Sequence, residues 1–461
     1  MFPRRSQFLL AAYLINFGKC FVPLSNRAFE TRHTLPVSAS TTPVETPSSS
    51  SQFSVATTGP ADERWAAPAA DPKLNSMRDA QRTLMAPLME VGKPGSKSET
   101  FIRILNSFMM DYAESAYEAG YSIEDFNRII GMLLSNVAKN MRDPFKFDPF
   151  HKAVRAPNDF YKWAQSFMNT LILWEDSPCE GLDTLEEINA LVASGDNVIL
   201  LANHQTEADP QVATLMLERQ GMVPLAEKMV FVAGHKVTTD PLAIPFSMGC
   251  NLLCIHSKKY LDLEGPEQKA IKQQQNMDTM SELQGLLASG GNIVWVAPSG
   301  GRDRTSEESG GEFAISSFDA KSVELFRLMA TKAAAEAGKR APEGARVPQT
   351  HVFTLAMLTR KCVPPPAGQS GAIGETRTAK LGSVGIKFGC KLTDEMAQSL
   401  LAEGATKAEK RGAFTSLAEA QVKADYEDLL ALEKSLEAGD GRSGTYPPTP
   451  MGVPGEPVTW V

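Results

Sequence analysis

The sequence is poor in cysteine: its 461 residues include six, and none forms a Cys-x-x-Cys pair. A disulfide framework is therefore excluded as the source of stability, and a reducing compartment is favoured. Long apolar runs are also missing. The most apolar stretch, Phe8–Phe17, is roughly half of what a membrane span requires, so no transmembrane segment is expected in the body of the chain. Nor is there an excess of basic residues, because 46 Lys and Arg stand against 54 Asp and Glu, a net charge of −8. That balance argues against a nucleic-acid partner, which needs a dense field of cations, but it leaves room for a local basic pocket. Two nucleotide signatures are absent as well, GxxxxGK[ST] and a GxGxxG following a strand. With 43% apolar and 22% charged residues, the composition is that of a globular protein and excludes collagen, coiled coil and a wholly disordered chain.

What is present divides into stretches of different character. Residues 1–61 hold five basic, two acidic and sixteen Ser or Thr residues, a composition that cannot bury a core. Arg4-Arg5 before FLLAAYLINF resembles the front of a secretory signal, and the Ser/Thr-rich run after Phe29 resembles a transit peptide. In series they read as a two-part presequence leading to a plastid through the endoplasmic reticulum; the bland alternative is a disordered tail with a chance apolar patch. Residues 62–76 read as a linker. Over 77–147 a small helical bundle is predicted. Phe101, Ile104, Leu105, Phe108 and Tyr112 form one helical stripe, Ser122–Asp125 has capping-box spacing, and Phe126, Ile129, Ile130, Leu133 and Val137 form a second stripe. Over 148–438 short β-rich runs alternate with helical ones: NVILLAN, MVFVAG, NLLCIHS, NIVWVAP, HVFTLAML and SVGIKFG, with a last helix carrying Val422, Tyr426, Leu429 and Leu436. The fold class expected is α/β, a mixed and largely parallel sheet flanked by helices and preceded by the bundle. Ligand sites in such sheets lie in loops after the C-terminal strand ends. Residues 439–461 are rich in Pro and Gly and read as a tail.

Three of those loops carry candidate chemistry. In LLANHQTEADP, His204 follows a strand and Asp209 lies five residues on, before Pro210. Asp before Pro is an ordinary helix start, but a His at a strand end has no structural duty. With a carboxylate to fix its tautomer it becomes a minimal general base. In NLLCIHSKKYLD, Lys258 and Lys259 stand just beyond a strand, where lysines are usually a solvated rim. In VWVAPSGGRDRT, glycines permit close backbone approach and Arg302 and Arg304 offer planar forks suited to phosphate. If the three loops converge, a base, its carboxylate and a cationic cluster share one crevice. That suits deprotonation of a hydroxyl on a phosphorylated substrate.

Three other readings are open, one of them a non-catalytic binding protein that keeps the sheet and lacks turnover. Ser299 could act as a nucleophile with His204 and Asp209, although the GxSxG elbow is absent and turn chemistry is the plainer role. Cys250, Cys254 and His256 offer metal-ligand types, but their strand pattern sends alternate side chains to opposite faces, and core packing is favoured.

NHQTEADP (203–210), DPLAIPFSMGCNLLCIHSKK (240–259), VAPSGGRDR (296–304) and FDPFHKAVRAPNDFY (147–161), with the Pro364–Pro366 run, resemble the soluble plastid glycerol-3-phosphate acyltransferases. The resemblance runs in order over most of residues 80–435. It implies a helical N-terminal domain before an α/β catalytic domain. It also implies transfer of a fatty acyl group from acyl-carrier-protein thioester to the sn-1 hydroxyl of glycerol 3-phosphate, in the plastid stroma. The family's base and carboxylate fall on His204 and Asp209, and its phosphate site on Lys259, Arg302 and Arg304. No cofactor or metal is implied. The partners implied are glycerol 3-phosphate and acyl-carrier protein, with Lys258, Lys269 and Lys272 as candidate docking cations; a monomer with peripheral membrane contact for product release is expected. Two departures stand out: Tyr260 where the family usually has His, and Thr354 where it tends to have Pro.

Overall fold

Asn197–Ala202 (β3), Met229–Gly234 (β4), Asn251–Ile255 (β5) and Ile293–Val296 (β6) are nearly continuous apolar runs and each becomes a strand, β3 and β6 buried throughout, β4 over most of its length and β5 at Leu252 and Leu253. A run buried on both faces needs helices above and below, which favours a parallel sheet with helical crossovers. The computed structural model describes residues 71–89, 97–257, 261, 265–305, 313–364, 377–401 and 405–439. The predicted presequence, the tail beyond Gly439, and Lys258, Lys259 and Tyr260 lie outside the described residues.

Phe150–His151 (β1), Cys179–Glu180 (β2), Thr350–Leu358 (β9) and Gly385–Leu392 (β10) complete an eight-stranded sheet, ordered β1-β5-β4-β6-β3-β9-β10-β2. β3 is parallel to β6 and β9, β4 is parallel to β5 and β6, and antiparallel pairing enters only at β1–β5 and β9–β10. The mixed, mostly parallel sheet expected from the sequence is thus present. A short hairpin, Arg304–Thr305 (β7) with Phe313–Ala314 (β8), stands apart from it.

Period-two alternation divides the core. Ile199, Leu201, Val230, Leu253, Val294, Val296, Ala356 and Leu358 share a cluster with Leu283, Val323, Phe326, Phe414, Val422, Tyr426 and Leu429. Those partners come from the long helices Pro266–Ser289, Ala320–Arg340 and Lys407–Glu437. Leu200, Phe231 and Trp295 occupy the intervening positions. Phe231 lines a small cleft with Tyr161, Ala164, Gln211 and Thr214 of Phe160–Asn169 and Asp209–Arg219.

The N-terminal helices are Pro72–Met89, Lys97–Glu118 and Ile123–Arg142. The predicted stripe of Phe126, Ile129, Ile130, Leu133 and Val137 is buried. The first stripe is broader than predicted: Ile104 is only half-buried, while Ile102 and Met109 are buried beside Phe101, Leu105, Phe108 and Tyr112. The reason is that this helix meets neighbours on several sides, with Tyr112 stacked on Phe167 at 4.2 Å and bonded to the Thr170 hydroxyl at 2.9 Å. At Ser122 half of the capping box forms. The hydroxyl oxygen accepts from Asp125 N at 3.0 Å, but Asp125 Oδ2 takes the hydroxyl proton, at 2.7 Å, as its bond back to Ser122. Trp163 Nε1 donates to Ile129 O and Ser115 Oγ to Ala379 O, tying these helices to the rest of the unit that begins at Asp71. Among the described residues no helix is long and apolar enough to cross a membrane.

Candidate active site

Beyond β3 the strand's alternation continues into the loop. Asn203 pairs with the backbone of Met357, donating to its carbonyl at 2.9 Å and accepting from its N–H at 2.8 Å. Gln205 accepts from Thr359 N at 2.7 Å and donates to Tyr426 Oη at 2.7 Å. These two side chains extend the β3–β9 pairing by other means. His204, between them, turns the other way and lies edge-on to Trp295, with centroids 5.7 Å apart and planes at 82°.

Asp209 is fully buried, and the His204 side chain is 26% exposed. His204 Nδ1 lies 2.8 Å from Asp209 Oδ2. The same carboxylate accepts from Gln205 N at 2.8 Å, Thr206 N at 3.1 Å, Thr206 Oγ1 at 3.0 Å and Thr359 Oγ1 at 2.5 Å. With an acceptor-only carboxylate, Nδ1 carries the proton and Nε2 keeps its lone pair for the opening, the tautomer a base requires. The helix-start reading of Asp209 is corrected in one respect. The N-cap position is Ala208, without a side-chain cap, and Asp209 spends its carboxylate on the preceding loop.

The second loop is a tight turn: Gly300 N donates to Ala297 O at 3.1 Å, and Gly300 has φ +67°, a conformation that favours glycine. Ser299 Oγ donates to Gly301 O at 3.0 Å. Its hydroxyl therefore serves the turn, and no observation supports it as a nucleophile. Arg302 Nη1 sits 3.5 Å from Glu207 Oε1. Arg304 opens β7, and its Nη1 is buried with no hydrogen-bond partner among the described residues. Between the two arginines, Asp303 is fully buried. Its N–H donates to His204 O at 2.6 Å, joining the loop after β6 to the loop after β3. Burial pushes the Asp303 carboxyl up to about 6, against the pull of its bonds from Ser316 N and Asn203. The Trp295 indole N–H is also buried without an acceptor among the described residues. Of these two donors, Arg304 and Trp295, it is Trp295 whose ring meets the His204 imidazole.

A third group was not anticipated from the sequence. Arg377, 6% exposed, donates from Nε to Glu207 Oε2 at 2.8 Å and from Nη2 to Glu207 Oε1 at 3.2 Å and Asp240 Oδ2 at 2.7 Å. Burial opposes the charge on Glu207, but Arg377, followed by Arg302 and Lys236, holds its carboxyl below the usual range. Thus the described cations around the crevice are partly balanced. The residues that sequence reasoning missed are Thr359, Tyr426, Arg377, Trp295, Glu207 and Asp303. Glu207 and Asp303 lie inside the quoted motifs, where charged residues could have been flagged. Thr359, Arg377 and Tyr426 reach the dyad's loop from 150 or more residues away and left no local signal.

Cys250, Cys254 and His256 do not form a ligand cluster. Gln211 Nε2 donates to Cys250 Sγ at 3.3 Å, His256 Nε2 pairs with Gln275 Oε1 at 2.8 Å, and burial pushes both thiols up to about 12. Lys269 and Lys272 lie on the helix Pro266–Ser289 and are half-buried. Thr354 is fully buried within β9, and its Oγ1 has no partner among the described residues.

A histidine and a buried carboxylate thus follow a central parallel strand, and the loop after the neighbouring strand is joined to theirs by Asp303 N at the His204 carbonyl and by Arg302 at Glu207. Residues 179–357 match the family model described as Acyltransferase. That segment contains His204, Asp209, Trp295, Arg302, Asp303 and Arg304. The chain is similar to the chloroplastic glycerol-3-phosphate acyltransferase of Spinacia oleracea, 36% identical over 59% of this chain and 56% of the relative. It is also similar to that of Arabidopsis thaliana, 30% identical over 67% of this chain and 64% of the relative. A third relative, the chloroplastic glycerol-3-phosphate acyltransferase ATS12 of Cucurbita moschata, is 34% identical over 63% of this chain and 60% of its own length. The resemblance read from the motifs is thus found across more than half of the chain. The match spans under two thirds of each of these relatives.

Proposed function

We propose that this protein transfers a fatty acyl group from a thioester to the sn-1 hydroxyl of glycerol 3-phosphate. The observation that carries the reading is the His204–Asp209 pair at 2.8 Å, whose loop is bonded through the His204 carbonyl to Asp303, the residue between Arg302 and Arg304. The relatives, chloroplastic glycerol-3-phosphate acyltransferases, suggest the acceptor, glycerol 3-phosphate, and the chloroplast as compartment.

In this reading His204 Nε2 takes the proton from the sn-1 hydroxyl. The oxygen attacks the thioester carbonyl carbon, the carbon–sulfur bond breaks, and the imidazolium returns the proton to the departing thiolate. Asp209 holds the ring and stabilises the imidazolium. Arg302, Arg304 and Lys259 hold the phosphate, so that the hydroxyl meets the base without a search for orientation. The Trp295 indole N–H is assigned to the oxygen on which charge develops. No metal or cofactor takes part. The donor is acyl-carrier-protein thioester, met by Lys258, Lys269 and Lys272; the working form is a monomer in the plastid stroma, with peripheral membrane contact for product release.

The test is a donor and acceptor panel on the purified protein, comparing acyl-carrier protein with coenzyme A thioesters and glycerol 3-phosphate with unphosphorylated glycerol. His204→Ala should abolish turnover and leave glycerol 3-phosphate binding intact. Turnover by that variant near the wild-type rate would refute the assignment of the base.

A further inference from the structure

We infer that Asp303 is a positioning residue that clamps the two phosphate-binding arginines in register with the catalytic histidine; this rests on the function proposed above. Asp303 stands between Arg302 and Arg304 in sequence and is fully buried. Three contacts leave it in three directions. Its N–H donates to the carbonyl of His204 itself, at 2.6 Å. Its Oδ2 accepts from Asn203 Nδ2 at 3.0 Å, and its Oδ1 accepts from Ser316 N at 2.9 Å, just beyond β8. Asn203 is in turn doubly bonded to Met357 of β9.

The carboxylate therefore joins the loops after β3, β6 and β8, and through Asn203 reaches β9. The arginines on either side of it inherit their distance from His204 from this clamp. Both side-chain partners are donors, so the ionised form fits the cage and a neutral amide does not: Asn at 303 would set its NH2 against either Asn203 Nδ2 or Ser316 N–H. A buried carboxylate disfavoured by burial, held by donors beside a base, is the pattern of a group kept for a site and not for the fold.

The experiment compares wild type, Asp303→Asn and Asp303→Ala in the full chain. The readouts are glycerol 3-phosphate affinity by calorimetry, kcat and the KM of each substrate in acyl transfer from a thioester, and Tm. Both variants are expected to fold with a lowered Tm, because Asn203 Nδ2 and Ser316 N lose part or all of their acceptor. Their Kd and KM for glycerol 3-phosphate should rise about tenfold or more, and KM for the thioester should change little. Unchanged Kd and KM in variants of an active wild type overturn the inference alone. So does failure of both variants to fold, which would make Asp303 a structural support. A wild type that neither binds nor acylates glycerol 3-phosphate defeats the proposed function, and the clamp falls with it.

Discussion

Replacing Asp209 with Asn removes one charge and almost no volume, so it isolates what the carboxylate does. Five donors converge on the two oxygens, and an amide supplies one oxygen. If the amide oxygen takes the Oδ1 place, Thr206 N and the two threonine hydroxyls stay satisfied. The NH2 then faces Gln205 N–H and His204 Nδ1. Gln205 N is left buried without an acceptor, at about 1–3 kcal/mol. His204 Nδ1 must now accept, which sends the ring proton to Nε2, where a base needs a lone pair. If the amide turns over, Thr206 N is the orphan at about the same cost. The tautomer survives, but the imidazolium has lost its charged partner. In both orientations turnover should fall by about 10²–10⁴-fold. Stability should fall by about 1–3 kcal/mol, and glycerol 3-phosphate binding should change little. The assay is steady-state acyl transfer, with urea unfolding and calorimetric binding on the same preparation. An Asp209→Asn protein keeping more than about a tenth of wild-type turnover would refute the pairing argument.

Arg377→Ala takes its cation from fully buried Asp240 and the nearer one from half-buried Glu207, which keeps Arg302 at 3.5 Å, so unfolding in urea should show a loss of about 3 kcal/mol; a loss below about 1 would mean that the network is not needed. Burial lifts the Asp303 carboxyl from 3.8 to about 6, so the folded chain holds that proton more tightly than the unfolded one. The stabilisation is full below about pH 4 and is lost as the pH rises through about 6. The stability of wild type minus that of Asp303→Asn should therefore fall by about 3 kcal/mol between about pH 4 and pH 7. A flat difference across that range would contradict the burial argument. Trp295→Phe keeps a ring against His204 and removes only the indole donor. Turnover should drop by about 10–10³-fold with glycerol 3-phosphate binding retained, whereas unchanged turnover would leave the N–H without a part in the reaction.

Much of the fold was legible because its signals are local. Apolar runs such as NVILLA and IVWV, separated by helical repeats, announce buried strands with crossovers, and each became a strand of the main sheet. The dyad was legible for a similar reason: His204 and Asp209 belong to a single strand–loop–helix unit, so five residues suffice to bring them together. The stripe through Ile104 was less well read, because a periodic pattern cannot tell how many neighbours a helix meets.

By itself, the sequence determined the composition, the local periodicities, the dyad and the pair of arginines flanking Asp303. The tertiary structure alone decided what holds them. β3 lies between β6 and β9, so the loop bearing His204 is gripped from one side by Asn203, Gln205, Thr359 and Tyr426 and from the other by Asp303 and Trp295. Arg377 reaches Glu207 across 170 positions of chain. Contacts at such separations follow from strand order, and strand order emerges only when the whole sheet closes over its core.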